Sequence, residues 1–246
     1  MPFTFSHPAI VLPIARVVRI RFISVSALII GSMAPDFEYF IKMKLSGRFS
    51  HTLPGAFLFC LPVAFVTLLV FHKIVKQPFI SSLPTYFNSR LTALRVFDLL
   101  PSIKQHPLTY LGCLLLGIFS HLLWDSFTHA NHFMVRHVAF LSSPVSITGF
   151  PNMPLFRYIQ HGSTVLGAVY IVYFFHSLPK AAVSNSMNWR YWLFVMLIAL
   201  IAFAIRASFE FEYLGDIAAT AISSLFLSMI LVSLYFNIRS SHGKPT

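Results

Sequence analysis

Histidine and aspartate recur at four-residue intervals in Ser120-His121-Leu122-Leu123-Trp124-Asp125-Ser126-Phe127-Thr128-His129. On an α-helix the spacing i, i+4, i+8 stacks His121, Asp125 and His129 on one face. Such a stripe can offer two or three ligands to one cation, as paired histidines one turn apart do for zinc. A polar stripe hydrogen-bonded to a neighbouring helix has the same spacing, and His129, at the mouth of the helix, can be interfacial only. Further candidates lie apart in the chain. In Met33-Ala34-Pro35-Asp36-Phe37-Glu38-Tyr39, Pro35 ends a short apolar helix and leaves Asp36 and Glu38 at its mouth. Carboxylates there suit a Zn, Mn or Mg site or a general base. They also suit a solvated loop or a helix cap, which is the better reading of Glu38. His51 opens the next apolar run and His161 stands near the start of another. Each of these two histidines, taken alone, reads as structural.

The composition says what must position these residues. Of 246 residues, 57% are hydrophobic and 10% charged, with 27 Phe and a mean hydropathy of +0.74. Soluble domains carry about 45–50% apolar and about 25% charged residues, so the charged side chains here cannot coat a soluble globule of this size. Disorder is excluded by the aromatic content, and a disulfide scaffold by a count of two cysteines. Cys60 and Cys113 both fall in apolar runs and are expected to pack, not pair. A bilayer-spanning helix needs roughly 20 mostly apolar residues. The stretches 52–72, 107–128, 157–178, 189–208 and 217–238 satisfy this, and Trp189, Tyr191 and Trp192 give the fourth an interfacial anchor. Segments 8–20 and 22–35 are apolar but short, and neither has the flanks of a removable signal peptide. Between spans, 79–105 is broken by Pro84 and Pro101 and could form an interfacial amphipathic helix. The expected fold is an all-α integral membrane protein with about five long transmembrane helices plus short N-terminal apolar helices. Residues 1–178 form the core that bears the polar residues, and 179–246 add two C-terminal spans.

The formal charge of +11 suits either a nucleic-acid surface or cytoplasmic loops. If 22–35 crosses the membrane, the loops alternate. One side then collects Arg16, Arg19, Arg21, Lys73, Lys76, Arg90, Arg95, Lys104, Lys180, Arg190, Arg239 and Lys244 against the single acid Asp98. The other side holds Lys42, Lys44, Arg48, Arg136, Arg157 and Arg206 with the six remaining acids. Lys and Arg favour the cytoplasm, so the basic side is placed there, facing anionic lipid. With no nucleic-acid motif present, the charge reads as an orientation signal and membrane lipids as the partner. No motif sets an oligomeric state. Under this assignment Asp36, His51, His121, Asp125, His129 and His161 converge on the non-cytoplasmic side, and His7 joins them if 8–20 and 22–35 form a helical hairpin. Intramembrane ionisable residues mark function by default, and convergent His and carboxylate groups are what a catalytic metal site requires.

The blocks Pro2-to-Pro13 (PFTFSHPAIVLP), SALIIGSMAPDFEYF, RFSHTLPGAFLF, SHLLWDSFTH and PLFRYIQHGST resemble the bacterial membrane domain-of-unknown-function family 4184, over about the first 175 residues. More distantly, the order His, Pro-Asp, His, Ser-His-x-x-x-Asp is similar to inner-membrane proteins classed as metal-dependent hydrolases. It is also similar to the all-helical zinc-dependent phospholipase C and nuclease group. That resemblance implies His7, Asp36, His51, His121 and Asp125 as ligands to a divalent metal, zinc first and manganese or magnesium otherwise. The chain lacks a second His-x-x-x-Glu pair, which implies one or two ions instead of three. It further implies a hydrolase of an amphiphilic ester or phosphoester in the bacterial inner membrane, with Asp36 or Glu38 as ligand or general base and His129 or His161 orienting substrate or protonating a leaving group. Arg136 and Arg157 lie on the same side and could meet an anionic head group. Two other classes stay open: a transporter whose His and Asp residues line an ion or proton path, and a non-catalytic membrane protein held together by a polar cluster. The absence of an internal repeat weighs against the transporter.

Overall fold

The computed structural model describes residues 3–17, 24–183 and 187–242. Of the charge pattern, Arg19, Arg21, Lys244 and the side chain of Arg16 lie outside the described residues. The chain is 77% helical with almost no strand. In order, the elements are a 3-10 turn Thr4–Ser6, α1 (Pro8–Val17), α2 (Val25–Met33), a 3-10 turn Ala34–Asp36 and α3 (Phe37–Lys42). Then come α4 (Leu53–Ser81), α5 (Thr85–Val96), α6 (Leu99–Gln105), α7 (Pro107–Thr128), α8 (Phe133–His137) and α9 (Ala139–Ser142). The two-residue strands β1 (Pro144–Val145) and β2 (Met153–Pro154) pair antiparallel. The long helices α10 (Leu155–His176), α11 (Trp189–Ala207) and α12 (Leu214–His242) complete the chain.

Among the described residues, four helical stretches are long and apolar enough to cross a membrane: Leu53–Ser81, Pro107–His137, Trp189–Ala207 and Leu214–Ser240. This is the architecture of a multi-pass membrane protein. The remaining expected span, 157–178, does form a helix of 22 residues. Its first turns carry Arg157, Gln160 and His161, and the polar load keeps it out of the apolar class. The segment 22–35 contains the nine-residue α2. At 1.5 Å per residue that helix is less than half the ~30 Å hydrocarbon thickness.

Helix starts follow their caps. The Ser24 hydroxyl accepts from the Ala27 amide at the start of α2, and that of Thr52 accepts from the Gly55 amide at the start of α4. Pro107 occupies the first turn of α7, where no amide partner is needed. Within α4, Pro62 lacks the amide that would bond to Leu58, and the preceding residues Ala56–Cys60 widen into a π turn.

The chain divides into two compact units. The first comprises Met1–Asp36, Phe49–Ala64 and His106–Ser177. Its centre is the crossing of α2 and α7, where Ala27, Leu28, Cys113, Leu114 and Ile118 are buried. Between helices in lipid, close packing through small residues replaces the hydrophobic effect as the main attraction. A Cβ at Gly31 would stand 2.4 Å from the Leu114 carbonyl oxygen, and one at Gly117 would stand 2.6 Å from the Leu28 carbonyl oxygen. Glycine at both positions is what lets the two backbones meet. Cys60 and Cys113 are buried and not joined in a disulfide, and the Cys60 thiol donates to the Ser50 carbonyl.

The second unit comprises Phe37–Arg48, Phe65–Gln105 and Leu178–Thr246. Here α11 packs on α12 through Tyr191, Val195 and Val232, with the Tyr191 hydroxyl 3.0 Å from Ser233 Oγ. The Trp192 indole donates to the Ser82 carbonyl. The 79–105 region is two helices, α5 and α6, divided at Phe97-Asp98. Arg90 is buried and stacked on Tyr86, so α5 does not present it to the surroundings. Asp216, at the start of α12, holds the loop after α3. Its Oδ1 accepts from the Leu45 amide, and its Oδ2 accepts from the Glu212 and Tyr213 amides.

Candidate metal centre

The first unit gathers ionisable side chains from four separate segments. His7 follows the first 3-10 turn, Asp36 ends the second, His51 precedes α4, and α7 supplies His121 and Asp125 one turn apart. All but His51 are almost inaccessible, with exposures of 2% for His7, 0% for Asp36 and His121, and 1% for Asp125. The close crossing of α2 and α7 brings the Ser32 carbonyl to His121, whose Nδ1 donates to it at 2.7 Å. Thr4 Oγ1 donates to Asp36 Oδ2 at 2.5 Å, turning the other oxygen inward. Ser50 Oγ meets His51 Nδ1 at 3.0 Å.

What faces the centre is a set of atoms at short range. His121 Nε2 lies 3.2 Å from Asp125 Oδ2 and 3.7 Å from Asp36 Oδ1. His51 Nε2 lies 3.5 Å from each of those two oxygens. His7 Nε2 is 3.6 Å from Asp125 Oδ1, and its ring stacks on that of His121 at 3.6 Å between centroids. Despite these approaches, His7 Nδ1 and Nε2, Asp36 Oδ1, His121 Nε2 and both Asp125 oxygens have no hydrogen-bond partner. Nearly all buried polar groups in folded proteins are partnered, and each exception calls for an explanation.

The tautomer sharpens the problem. With Nδ1–H committed to the Ser32 carbonyl, His121 turns Nε2 toward two carboxylate oxygens. Carboxylates gathered inside a protein repel, and a cation among them, an imidazolium or a metal ion, removes the repulsion. His51 can meet part of the need as imidazolium. Burial opposes its charge, yet the Asp125 and Asp36 carboxylates outweigh burial and raise its pKa to about 9. His7 goes the other way: burial, then His121 beside it, lowers it to about 3, so it stands neutral with both nitrogens unbonded. Burial works against the Asp36 anion, but His121 and His51 hold its carboxyl below the ordinary range.

The donor set fits a divalent cation. Zinc takes His nitrogen at about 2.0–2.1 Å and carboxylate oxygen at about 2.0–2.2 Å in tetrahedral sites, which sets ligand-to-ligand edges of roughly 3.4 Å. The four His-to-Asp separations among Asp36, His51, His121 and Asp125 span 3.2–3.7 Å. Two overlapping triads have ligand atoms all within 4.8 Å of one another: His7 with His121 and Asp125, and Asp36 with His51 and His121. One imidazole nitrogen serves one ion at a time, so the shared His121 would serve in one triad or the other.

Of the other sequence candidates, His129 reaches the rim, with Nδ1 3.2 Å from the Asp125 carbonyl oxygen and 3.5 Å from Asp125 Oδ1. Glu38 belongs to the second unit, where Lys42 Nζ approaches it at 2.6 Å. His161 is exposed on α10, and among the described residues neither triad includes it. Three residues at the site escaped the sequence reading. Thr4 and Ser32 hold Asp36 and His121, and the His132 ring lies 6.2 Å from that of His51 and 4.9 Å from that of His129. The spacing His129-x-x-His132 was the available signal for the last.

Fold and centre together define an all-helical, multi-pass membrane protein with inward-facing His and Asp side chains buried in one of its units. The chain matches, over residues 1–234, the family described as Domain of unknown function (DUF4184), and it belongs to that family. No curated protein and no solved structure matches it.

Proposed function

We propose that this protein is a membrane-embedded metal-dependent hydrolase acting on an amphiphilic ester or phosphoester. The observation that carries the reading is the set of buried nitrogen and oxygen atoms of His7, Asp36, His121 and Asp125 that face one another without hydrogen bonds. A purely structural polar network would consist of satisfied bonds; unbonded nitrogen and oxygen atoms facing one another favour a cation among them. Two imidazoles with two carboxylates favour zinc, with manganese or magnesium as the harder alternatives.

Asp36, His51, His121 and Asp125 would hold the cation, with His7 at the Asp125 edge. A bound divalent cation lowers the pKa of its water from about 15.7 toward 7 and polarises a phosphoryl or acyl oxygen. Thr4 and the Ser32 carbonyl orient the ligands, the outer hydrogen bonds that fix tautomer and ring plane in such sites. Asp36 or Asp125 can also take the proton of an attacking water through an oxygen not spent on the ion. His129 Nδ1–H is engaged by the Asp125 carbonyl, which leaves the Nε2 lone pair to accept a hydrogen bond and orient the substrate. The centre lies toward the non-cytoplasmic face of a bacterial inner membrane in this reading, because the basic loops favour the cytoplasm.

The test is metal analysis of detergent-purified protein, wild type beside His121→Ala and Asp125→Ala. Stoichiometric metal in the wild type, lost in both variants, is expected. Wild-type protein that is metal-free after purification without chelator, and takes up neither zinc nor manganese, ends the hydrolase reading.

A further inference from the structure

We propose that a groove beside His7 is a lateral subsite for one acyl chain of a membrane lipid, directing the lipid's ester or phosphodiester linkage to the His7–Asp125 edge of the centre. The groove has a volume of about 230 Å³ and is lined by Ser6, His7, Ile10, Trp124, Leu166 and Tyr170, among others. It lies wholly within the first unit, between the N-terminal turn with α1 and the facing sides of α7 and α10.

Two hydroxyls of its wall are already engaged: Ser6 Oγ donates to the Thr164 carbonyl, and Ser163 Oγ donates to the Gln160 carbonyl. Trp124 and Tyr170 each present a broad apolar ring with one polar tip. The buried His7 ring also lines the groove, and its Nε2 stands 3.6 Å from Asp125 Oδ1. A mainly apolar trough that adjoins the candidate metal centre suits a molecule with a hydrocarbon tail and a reactive polar end.

The floor is closed by close packing. Gly167 comes so near the N-terminal turn that a Cβ there would lie 2.9 Å from both Cβ and the carbonyl oxygen of Ser6. The mouth opens on apolar surface: Leu166 is 71% exposed, and Val165 and Val169 on α10 and Leu123 on α7 are exposed as well. In a multi-pass chain such faces are covered by lipid, so hydrocarbon is what meets the mouth. Compact small-molecule pockets enclose about 300–1,000 Å³; this narrower, laterally open groove suits a single chain.

The assignment rests on the hydrolase reading only for what happens at the polar end; binding of the chain is tested separately. The protein is placed in phosphatidylcholine nanodiscs containing a small fraction of phosphatidylglycerol with a diazirine on one acyl chain, illuminated, and mapped by mass spectrometry. Label is expected to concentrate on Trp124, Leu166 and Tyr170 over lipid-facing Leu193 and Leu197 of α11. Leu166→Trp or Ala9→Leu, which fill the groove, should reduce that label by roughly tenfold, the effect of displacing about two methylenes at ~0.8 kcal/mol each. Val172→Trp, farther along the exposed face of α10, should leave it unchanged. Uniform labelling of lipid-facing helices overturns the subsite, and so does groove labelling that survives both filling substitutions. Groove labelling by a photoreactive free fatty acid but not by the lipid also overturns it. Metal content is read on the same samples. Metal-free protein with a labelled groove defeats the hydrolase reading while the subsite stands, and metal-loaded protein with uniform label does the reverse.

Discussion

Thr4→Val separates a metal centre from a purely structural cluster without touching a ligand. The Thr4 hydroxyl donates to Asp36 Oδ2 at 2.5 Å with both residues buried, and valine keeps the shape while removing the proton. Hydrogen bonds to charged groups contribute about 1.5–3 kcal/mol. The freed carboxylate can rotate Oδ1 away from His51 and His121, which it now approaches at 3.5 and 3.7 Å. Loss of an outer-shell partner typically weakens metal affinity by about 10–100-fold, the same range as the hydrogen-bond energy at 1.4 kcal/mol per decade. The assay is competition for zinc against a fluorescent chelator, with detergent-purified protein and a parallel thermal unfolding series of the chelator-stripped form. Thr164→Val is the control, because Thr164 accepts from the Phe3 amide on the same N-terminal segment without bonding to the cluster. The expected result is weaker affinity at unchanged stoichiometry in Thr4→Val and near-normal affinity in Thr164→Val. If Thr4→Val lowers stability but binds zinc as the wild type does, the bond to Asp36 is scaffolding and the argument from ligand orientation is refuted.

Gly117→Leu should destabilise the first unit by at least about 1–3 kcal/mol, the usual cost of overpacking, because its Cβ would meet main-chain atoms of α2 at 2.6 Å. Gly112→Leu on the same helix, where a Cβ meets nothing within 4 Å, should leave the unfolding temperature near that of the wild type; equal loss in both would show that added bulk anywhere on α7, not the crossing, is being measured. In the second unit, Asp216→Ala removes the acceptor for the Leu45, Glu212 and Tyr213 amides. Limited trypsinolysis after Lys44 should then speed up roughly tenfold as the loop opens more often, whereas Glu212→Gln, which loosens only an exposed pair with Lys44, should change it little. Similar cleavage rates in these two variants would mean that Asp216 does not hold the loop.

The parts of the centre that could be read from sequence are those whose signal is local. His121 and Asp125 share one helix, so their i, i+4 spacing states their common face before any tertiary fact is known. Asp36 and His51 were legible only as polar residues beside apolar runs, and the structure supplies the 3.5 Å that joins them. Glu38 illustrates the limit: two residues from Asp36 in the chain, it belongs to a different compact unit and is paired with Lys42. Spacing along a turn between elements says little about direction. The span expected at 157–178 forms a helix of the expected length, but the polar first turns of α10 leave its crossing of the membrane unconfirmed. Thr4 was invisible because its partner is 32 positions away, and Ser32 because it acts through its carbonyl, which every residue type possesses. That last case carries the physical point. Residue types name the ligands, but the main-chain oxygen presented at a glycine crossing sets which nitrogen of His121 faces the carboxylates. The proposal of a bound cation rests on that orientation, which is a property of packing.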